Sequence, residues 1–315
     1  MINFLTRLTD WVLKGGSITF NEAVNLCEIK EPRDIVSMIS FANVIREKFS
    51  GNKLNFYVNI NLKTDDCGVC FNPPRYDIDI NESAKVKKDY ISSKAEEVIK
   101  LGADRLSITV CGRDSGSDAG IEAFGNILKK NSSAEIELRV SLGMLSGGMS
   151  AAYGRFCFNN DSGNIDSPES SAGDIEKASF FSERLKYLES ARKRGYKVSS
   201  GLMSGAGESS AQRLIPSCIL KELDADSIAL NFFSSRKNNQ VFNPMEALKI
   251  ISIYRFMHPQ KEIILAGNLW KNYRIVKSLI LLSGANGVMA GNFLTSACRN
   301  VLEDVKSLAD FKLIQ

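Results

Sequence analysis

Three stretches decide the fold class: Ser227-Ile-Ala-Leu-Asn-Phe232, Pro244-Met-Glu-Ala-Leu-Lys-Ile-Ile-Ser-Ile-Tyr-Arg-Phe-Met257 and Glu262-Ile-Ile-Leu-Ala266. The first and third are short, apolar and bounded by polar residues and glycine, as strands are. The second is long, starts at a proline and carries apolar residues at helical spacing. It ends at His258-Pro259, because the residue before a proline is steered away from helical geometry. Strand, helix, strand with short links is a crossover unit, and such a unit joins parallel strands.

The same alternation continues in both directions. Strands are predicted at Leu54–Asn61, Arg105–Val110, Ile136–Ser141, Arg155–Asn159, Lys197–Leu202 and Gly287–Ala290. Amphipathic helical patterns cover Ser92–Leu101, Phe181–Arg194 and Tyr273–Leu282. Gly102, Gly195 and Gly284 stand where helices end, a position that favours left-handed backbone. Strands and helices in this order predict an α/β fold, a TIM-type (β/α)8 barrel, with an open doubly wound sheet as the alternative. Residues 1–50 are expected to form a helical extension packed on a barrel of residues 51–315. Barrel chemistry lies at the C-terminal strand ends. That rule gathers Cys67, Cys70, Cys111, Asn159, Asp161, Ser204 and Asn231 at one mouth. The Gly/Ser/Asp-rich stretches Gly112–Gly120 and Asn159–Gly173 follow strand ends and read as βα loops, either mouth-lining or plain surface.

Composition narrows the chemistry. Forty basic and 36 acidic residues are interspersed and leave a net charge of +4, so no nucleic-acid footprint stands out. No apolar run approaches the ~18 residues of a membrane span. Met1 to Lys14 reads as a charged helix rather than a leader, and a cytoplasmic protein is expected. Seven scattered cysteines, an odd number, suit free or metal-binding thiols better than a disulfide scaffold. The single histidine, His258, leaves no material for a Ser-His-Asp triad or a multi-histidine zinc site. Cys27, Cys218 and Cys298 fall in helical patterns and read as small buried hydrophobes, and Trp11 and Trp270 as packing anchors.

Cys67-Gly-Val-Cys70 is the one close cysteine pair. Asn72-Pro73-Pro74 follows it and opposes the helix that a thioredoxin-type pair opens. A second pair, which a zinc ribbon needs, is missing. Part of an iron–sulfur ligand set remains open.

The surroundings of the pair resemble the biotin synthase family, whose members are radical S-adenosylmethionine enzymes. The resemblance rests on Asn52–Thr64 leading into Cys67, on Gly102-Ala-Asp-Arg-Leu-Ser-Ile-Thr-Val-Cys-Gly-Arg113, on Ser141-Leu-Gly-Met-Leu145 and on Arg155-Phe-Cys-Phe-Asn-Asn-Asp161. It continues through Glu183-Arg-Leu, Gly195–Gly201, Gly205-Ala-Gly-Glu208, Leu223–Phe232, Pro244-Met-Glu-Ala-Leu, Lys261–Gly267 and Gly284–Gly291. It spans the chain from about residue 15 onward. It implies a [4Fe–4S] cluster that binds S-adenosylmethionine, held by a C-x3-C-x2-C motif, and a [2Fe–2S] cluster that gives up sulfur.

The departures fall on those ligands. Cys67 and Cys70 match the first and third cysteines of the motif, and the segment bearing the middle one is missing. By the same resemblance the [2Fe–2S] ligands fall on Ser107, Arg139, Ser199 and Ile264, so no [2Fe–2S] cluster is expected. An arginine at Arg139 replaces a thiolate by a fixed positive charge. Asn159 and Asp161 match positions at which the family contacts S-adenosylmethionine or substrate. Gly201 and Gly205 match close backbone approaches to the cofactor, and Asn231 matches a substrate-facing asparagine. Asn159, Asp161 and Asn231 also suit ordinary strand-end hydrogen bonding, and Arg139 also suits a buried ion pair.

Two readings follow. In the first, a divergent barrel, a pseudoenzyme for sulfur insertion, binds a small ligand through Arg139 and Asn231 or pairs as a homodimer or with a catalytic paralogue. In the second, a radical S-adenosylmethionine enzyme of cofactor biosynthesis keeps a non-canonical cluster on Cys67 and Cys70, with a third ligand from Asp65, Asp66, Cys111 or Cys157.

Overall fold

The computed structural model describes residues 1–63, 104–111, 137–142, 156–159, 185–186, 188–189, 192–193, 197–204, 208–232, 234–235, 240–266 and 277–292. The elements in order are α1 (Ile2–Leu13), α2 (Phe20–Cys27), α3 (Pro32–Ser50), β1 (Asn55–Lys63), β2 (Arg105–Cys111), β3 (Glu137–Leu142), β4 (Phe156–Asn159) and β5 (Lys197–Ser204). Then come α4 (Ile215–Glu222), β6 (Ser227–Phe232), β7 (Ser234–Ser235), β8 (Gln240–Val241), α5 (Pro244–Met257), β9 (Glu262–Leu265), α6 (Lys277–Leu282) and β10 (Gly287–Asn292). The eight predicted strands all appear, each within two residues of its expected bounds. The β7–β8 hairpin is additional and antiparallel, with Ser234 opposite Val241. The predicted helix at Ser92–Leu101, together with Gly102 and Gly195, lies outside the described residues.

The chain divides into two compact units. One comprises Met1–Leu54, Asn164–Glu183 and Ser200–Val288; the other comprises Asn55–Gly163, Arg184–Ser199 and Met289–Gln315. They are called here the helix-rich unit and the strand-rich unit.

In the helix-rich unit, α1 packs on α3, α2 on α5, and α3 on both α5 and α6. The first fifty residues therefore share a core with the second half of the chain. Helix α1 contributes Leu5, Leu8 and Val12, all at most 2% exposed. Their spacing puts them on one face. Helix α2 begins with a capping box in which Thr19 accepts from the Glu22 amide while Glu22 accepts from the Thr19 amide. Helix α3 starts with Pro32 in its first turn, and Asn243 caps α5 by accepting from the Met245 and Glu246 amides. From Ala247 to Met257 every residue of α5 is buried, so its apolar character runs round the whole helix. Strands β6 and β9 pair in parallel, as do β9 and β10, with Ala229, Ile264 and Gly287 in one row.

Gly284 follows α6 with φ +108°, the left-handed backbone expected of it. A Cβ there would also lie 2.7 Å from Arg255 Cβ, so a second constraint demands glycine. Trp11, expected as a packing anchor, packs at the surface. It is 56% exposed and lies across Gly16, with its indole N–H donating to the Ser17 carbonyl.

In the strand-rich unit, β1 to β4 and the first residues of β5 pair side by side in parallel. Asp104 pins the first pair: its amide donates to the Phe56 carbonyl and its carboxylate accepts from the Phe56 amide at 2.9 Å.

Candidate functional site

Successive residues of a strand alternate between faces, and register partners share a face. Applied to the strand-rich unit, this sorts the sequence sharply. One face takes Val58, Ile60 and Leu62 from β1, Leu106, Ile108 and Val110 from β2, Leu138, Val140 and Leu142 from β3, Phe158 from β4 and Val198 from β5. The other face takes Asn59, Asn61, Ser107, Thr109, Arg139, Ser141, Cys157, Asn159 and Ser199. Strands of an ordinary parallel sheet are apolar on both faces, because both are covered. A parallel sheet with one polar face is a departure from that rule, and such departures concentrate at functional sites.

Register then makes rows that linear sequence does not reveal. Asn59, Ser107, Arg139 and Cys157 follow one another across β1, β2, β3 and β4, and Lys197 continues the row on β5. The next row toward the C-terminal strand ends holds Asn61, Thr109 and Ser141 on β1–β3 and the Asn159–Ser199 pair on β4 and β5. The row on the other side holds Tyr57, Arg105 and Glu137. Ser199 is fully buried, and Lys197 is exposed.

The remaining candidate residues distribute as follows. Cys67, Cys70, Asp161 and Gly205 lie outside the described residues. Gly201 and Asn231 belong to the helix-rich unit. A Cβ on Gly201 would meet the Ala229 carbonyl oxygen at 2.8 Å, so β5 and β6 approach each other closely there. Asn231 is half-buried, the penultimate residue of β6. Ile264 is fully buried in its row between Ala229 and Gly287. Ser204, a predicted mouth residue, is fully buried, and neither its hydroxyl nor that of Ser200 has a hydrogen-bond partner.

The helix-rich unit holds two polar networks that the sequence did not announce. In the first, Arg213 donates to Glu208 at 2.9 Å and lies 3.6 Å from Glu246, whose other oxygen takes Lys249 at 2.9 Å. Lys249 also donates to the Cys27 carbonyl at 2.7 Å, tying α5 to the end of α2. The Arg213 guanidinium lies 5.1 Å over the Phe242 ring, which stacks on Phe232. Two cations and two carboxylates meet in this network.

The second network centres on Arg255, which is fully buried. Its guanidinium donates to the carbonyls of Gly284, His258, Pro259 and Lys261 and to the Asn286 side chain, at 2.7 to 3.3 Å. Asn286 Oδ1 also accepts from the Ile263 amide at 2.7 Å. Burial, and after it the nearby Arg46 charge, pulls the Arg255 guanidinium down to about 9. His258 is the C-cap of α5, the helix-ending role read from His258-Pro259. Its Nε2 lies 2.7 Å from Ser217 Oγ, and burial pushes the imidazole down to about 3. The single histidine is thus a neutral structural group at physiological pH. Cys27 and Cys218 are half-buried rather than fully buried; burial pushes the Cys27 thiol up to about 11 and raises Cys218 as well.

Among the described residues no group of three His, Cys, Asp or Glu side chains converges in a way that could hold a metal ion. No described helix is long and apolar enough to cross a membrane.

Comparison with known proteins bears on the whole chain. Residues 229–314 match the Biotin and Thiamin Synthesis associated domain. The biotin synthase of Thermodesulfovibrio yellowstonii is 33% identical over 299 residues, covering 90% of this chain and 92% of that one. That of Clostridium acetobutylicum is 30% identical over 325 residues, covering 99% and 98%. Among solved structures, methylornithine synthase superposes with a TM-score of 0.66 at 17% identity, covering 98% of this chain and all of that one. HydG, a maturase of the [FeFe]-hydrogenase, gives 0.68 at 13% identity over 97% of this chain and 75% of that one. These likenesses carry the fold alone, and it is the α/β, TIM-type (β/α)8 fold expected from the strand pattern.

Proposed function

Because the chain belongs to the biotin synthase family, we propose that it is a divergent radical S-adenosylmethionine-type barrel, acting in the cytoplasm, that has lost sulfur insertion and binds a small ligand on the polar face of β1–β5. The observation that carries this reading is the row Asn59–Ser107–Arg139–Cys157.

The family resemblance implies a [2Fe–2S] cluster held by three thiolates and an arginine, and thiolates are the donors that such clusters favour. The residues that the family resemblance assigns to it are Ser107, Arg139, Ser199 and Ile264. A serine and an arginine stand side by side in register. Ser199 is fully buried, and Ile264, also fully buried, offers no donor atom. These residues do not fit the group. With the sulfur donor absent, insertion of sulfur has no source.

A second reading keeps radical chemistry. The identity to biotin synthases over nearly the whole chain supports S-adenosylmethionine and a [4Fe–4S] cluster on Cys67 and Cys70, with Asn159, Asp161, Gly201 and Gly205 toward the cofactor. Two cysteines fall short of the three thiolates that such a cluster normally uses, so this reading requires a substitute ligand from Asp65, Asp66, Cys111 or Cys157. Under the first reading the protein works as a homodimer or beside a catalytic paralogue.

Anaerobic reconstitution with iron and sulfide separates the two. The divergent reading predicts protein with well under one iron per chain and no S-adenosylmethionine cleavage. Roughly four irons per chain, abolished in both Cys67→Ala and Cys70→Ala, together with reductive cleavage of S-adenosylmethionine, would establish the second reading and end the first.

A further inference from the structure

The geometry points to an interface between two copies of this chain: the outward face of α3 packs on the same face of a second copy, antiparallel, about a two-fold axis at Ser40. This surface goes beyond the function proposed above and is independent of what the barrel binds.

Helix α3 packs on α1, α5 and α6 and buries Ile35, Met38, Ile39, Ala42 and Ile45, each at most 5% exposed. Its opposite side differs from an ordinary solvated face. From Ile35 to Ile45, about three turns, the helix carries no charged residue. Yet Val36 is 53% exposed, Val44 is 41% exposed, and Ser40 between them is exposed as well. Helix α1 of the same unit shows the usual pattern, with Arg7, Asp10 and Lys14 among its exposed residues. An exposed helix face that offers valines and no charge is a surface suited to be covered.

The charges at the two ends of this face name the occupant. Arg33, Val36, Ser40, Val44 and Glu47 line one stripe, in steps of three, four, four and three residues. That spacing is the same from either end. About a two-fold axis at Ser40, Val36 faces the partner's Val44 and Arg33 faces the partner's Glu47. A cation meets a carboxylate at both ends, valine meets valine inside them, and the short serine side chains meet at the crossing, where they let the helices approach closely. A parallel pairing would set like charges on each other. A two-fold interface needs a patch that complements itself, and this stripe does.

Both charged ends are accessible, with the Arg33 side chain 87% and the Glu47 side chain 47% exposed. Within the chain Arg33 lies 3.9 Å from Asp34. Glu47 Oε1 accepts from Asn43 at 2.9 Å and lies 3.8 Å from Arg46. Those contacts engage one of the two Glu47 oxygens. The stripe runs roughly 21 Å, so it buries less than the roughly 1,200 Å² of a standard interface. The dimer is accordingly weak and depends on concentration.

The test is sedimentation equilibrium of the purified full-length protein from about 5 to about 500 µM. A dimer fraction that grows with concentration is expected. Arg33→Glu and Glu47→Arg each put like charges at both ends and should weaken association at least about tenfold. Mixed in equal amounts, the two variants should recover the dimer, because the mixture opposes a carboxylate to a cation at both ends. A role for either side chain within its own chain would not produce that recovery. If a charge variant does not fold, Ser40→Glu takes its place; it sets two like charges on the axis and should abolish the dimer. Monomer at the highest concentration, a dimer that the variants leave as strong as the parent, or a mixture no tighter than either variant alone would each overturn the proposal. Iron content, which tests the proposed function, decides none of these outcomes.

Discussion

Arg255 and Arg139 invite comparison, because each is a cation inside a regular element, Arg255 in the last turn of α5 and Arg139 within β3, and each belongs to a different unit. Arg255 interrupts an apolar helix and is fully buried, and the fold surrounds it with carbonyl acceptors at 2.7 to 3.3 Å. Arg139 interrupts a strand, and its register neighbours are a serine and a cysteine. In the first case the chain supplies what the charge needs, so the residue is structural. In the second the two register neighbours are neutral, and the proposed function gives the residue a ligand to bind. The lesson is to count the neighbouring charges before assigning a role to an interior arginine.

The largest expected effect is on the Arg255 side. Arg255→Leu strips hydrogen bonds from the buried carbonyls of Gly284 and His258, from the half-buried Pro259 and Lys261 carbonyls and from Asn286. At about 1 to 3 kcal/mol for each buried group left unsatisfied, the loss should exceed about 4 kcal/mol in urea unfolding, or prevent folding. A change of under 1 kcal/mol would break the comparison from that side.

Next comes Gly284→Ala. It forces an alanine to φ +108° and places its Cβ against Arg255 Cβ. A loss of about 2 to 3 kcal/mol is expected from strain and displacement of the arginine, read as a lowered midpoint at unchanged slope.

The third prediction concerns pH. His258 titrates near 3 when folded, against 6.5 as its ordinary value. Between those values the unfolded chain binds the extra proton, so stability rises with pH in that window. The contribution is complete above about 6.5 and is lost as pH falls toward 3, at up to about 1.4 kcal/mol per unit. His258→Gln should flatten the stability profile between pH 4 and 6.5, and an unchanged profile would show that the buried imidazole is not the group responsible.

By contrast, Arg139→Gln should leave stability within about 1 kcal/mol of the parent while changing ligand affinity. The smallest effect is at Ser200, whose buried hydroxyl lacks a partner. Ser200→Ala should be neutral or stabilising by up to about 1 kcal/mol, and a clear loss would mean the hydroxyl has a role in the folded protein.

The strands were legible in the sequence because β-branched and aliphatic residues alternate with polar ones between turn residues, as in Arg105–Cys111 and Glu137–Leu142. The end of α5 was legible from His258-Pro259. The β7–β8 hairpin was not, since two-residue strands leave no periodicity to read. Nor was the Arg255 network, although a lone arginine inside Ile250–Met257 was a signal of a satisfied buried charge. Its partners come from loops up to 31 residues further on, and only the folded chain brings them together. The candidate site was half legible. Arg139, Ser107 and Asn159 could be named from the sequence, but that Ser107 neighbours Arg139, which neighbours Cys157, depends on strand register. Trp11 packs, as its reading as an anchor expected, but at the surface across a glycine turn, a placement that only the folded chain reveals.

The central claim is that the polar face of β1–β5 holds no sulfur-bearing cluster. Its most direct test is the acid-labile sulfide content of the Cys67→Ala, Cys70→Ala double variant after anaerobic reconstitution, because that variant leaves only sites away from the cysteine pair. The account predicts no sulfide above the background of an iron-free control. Two sulfides with two irons per chain would contradict it and return the strands to sulfur chemistry.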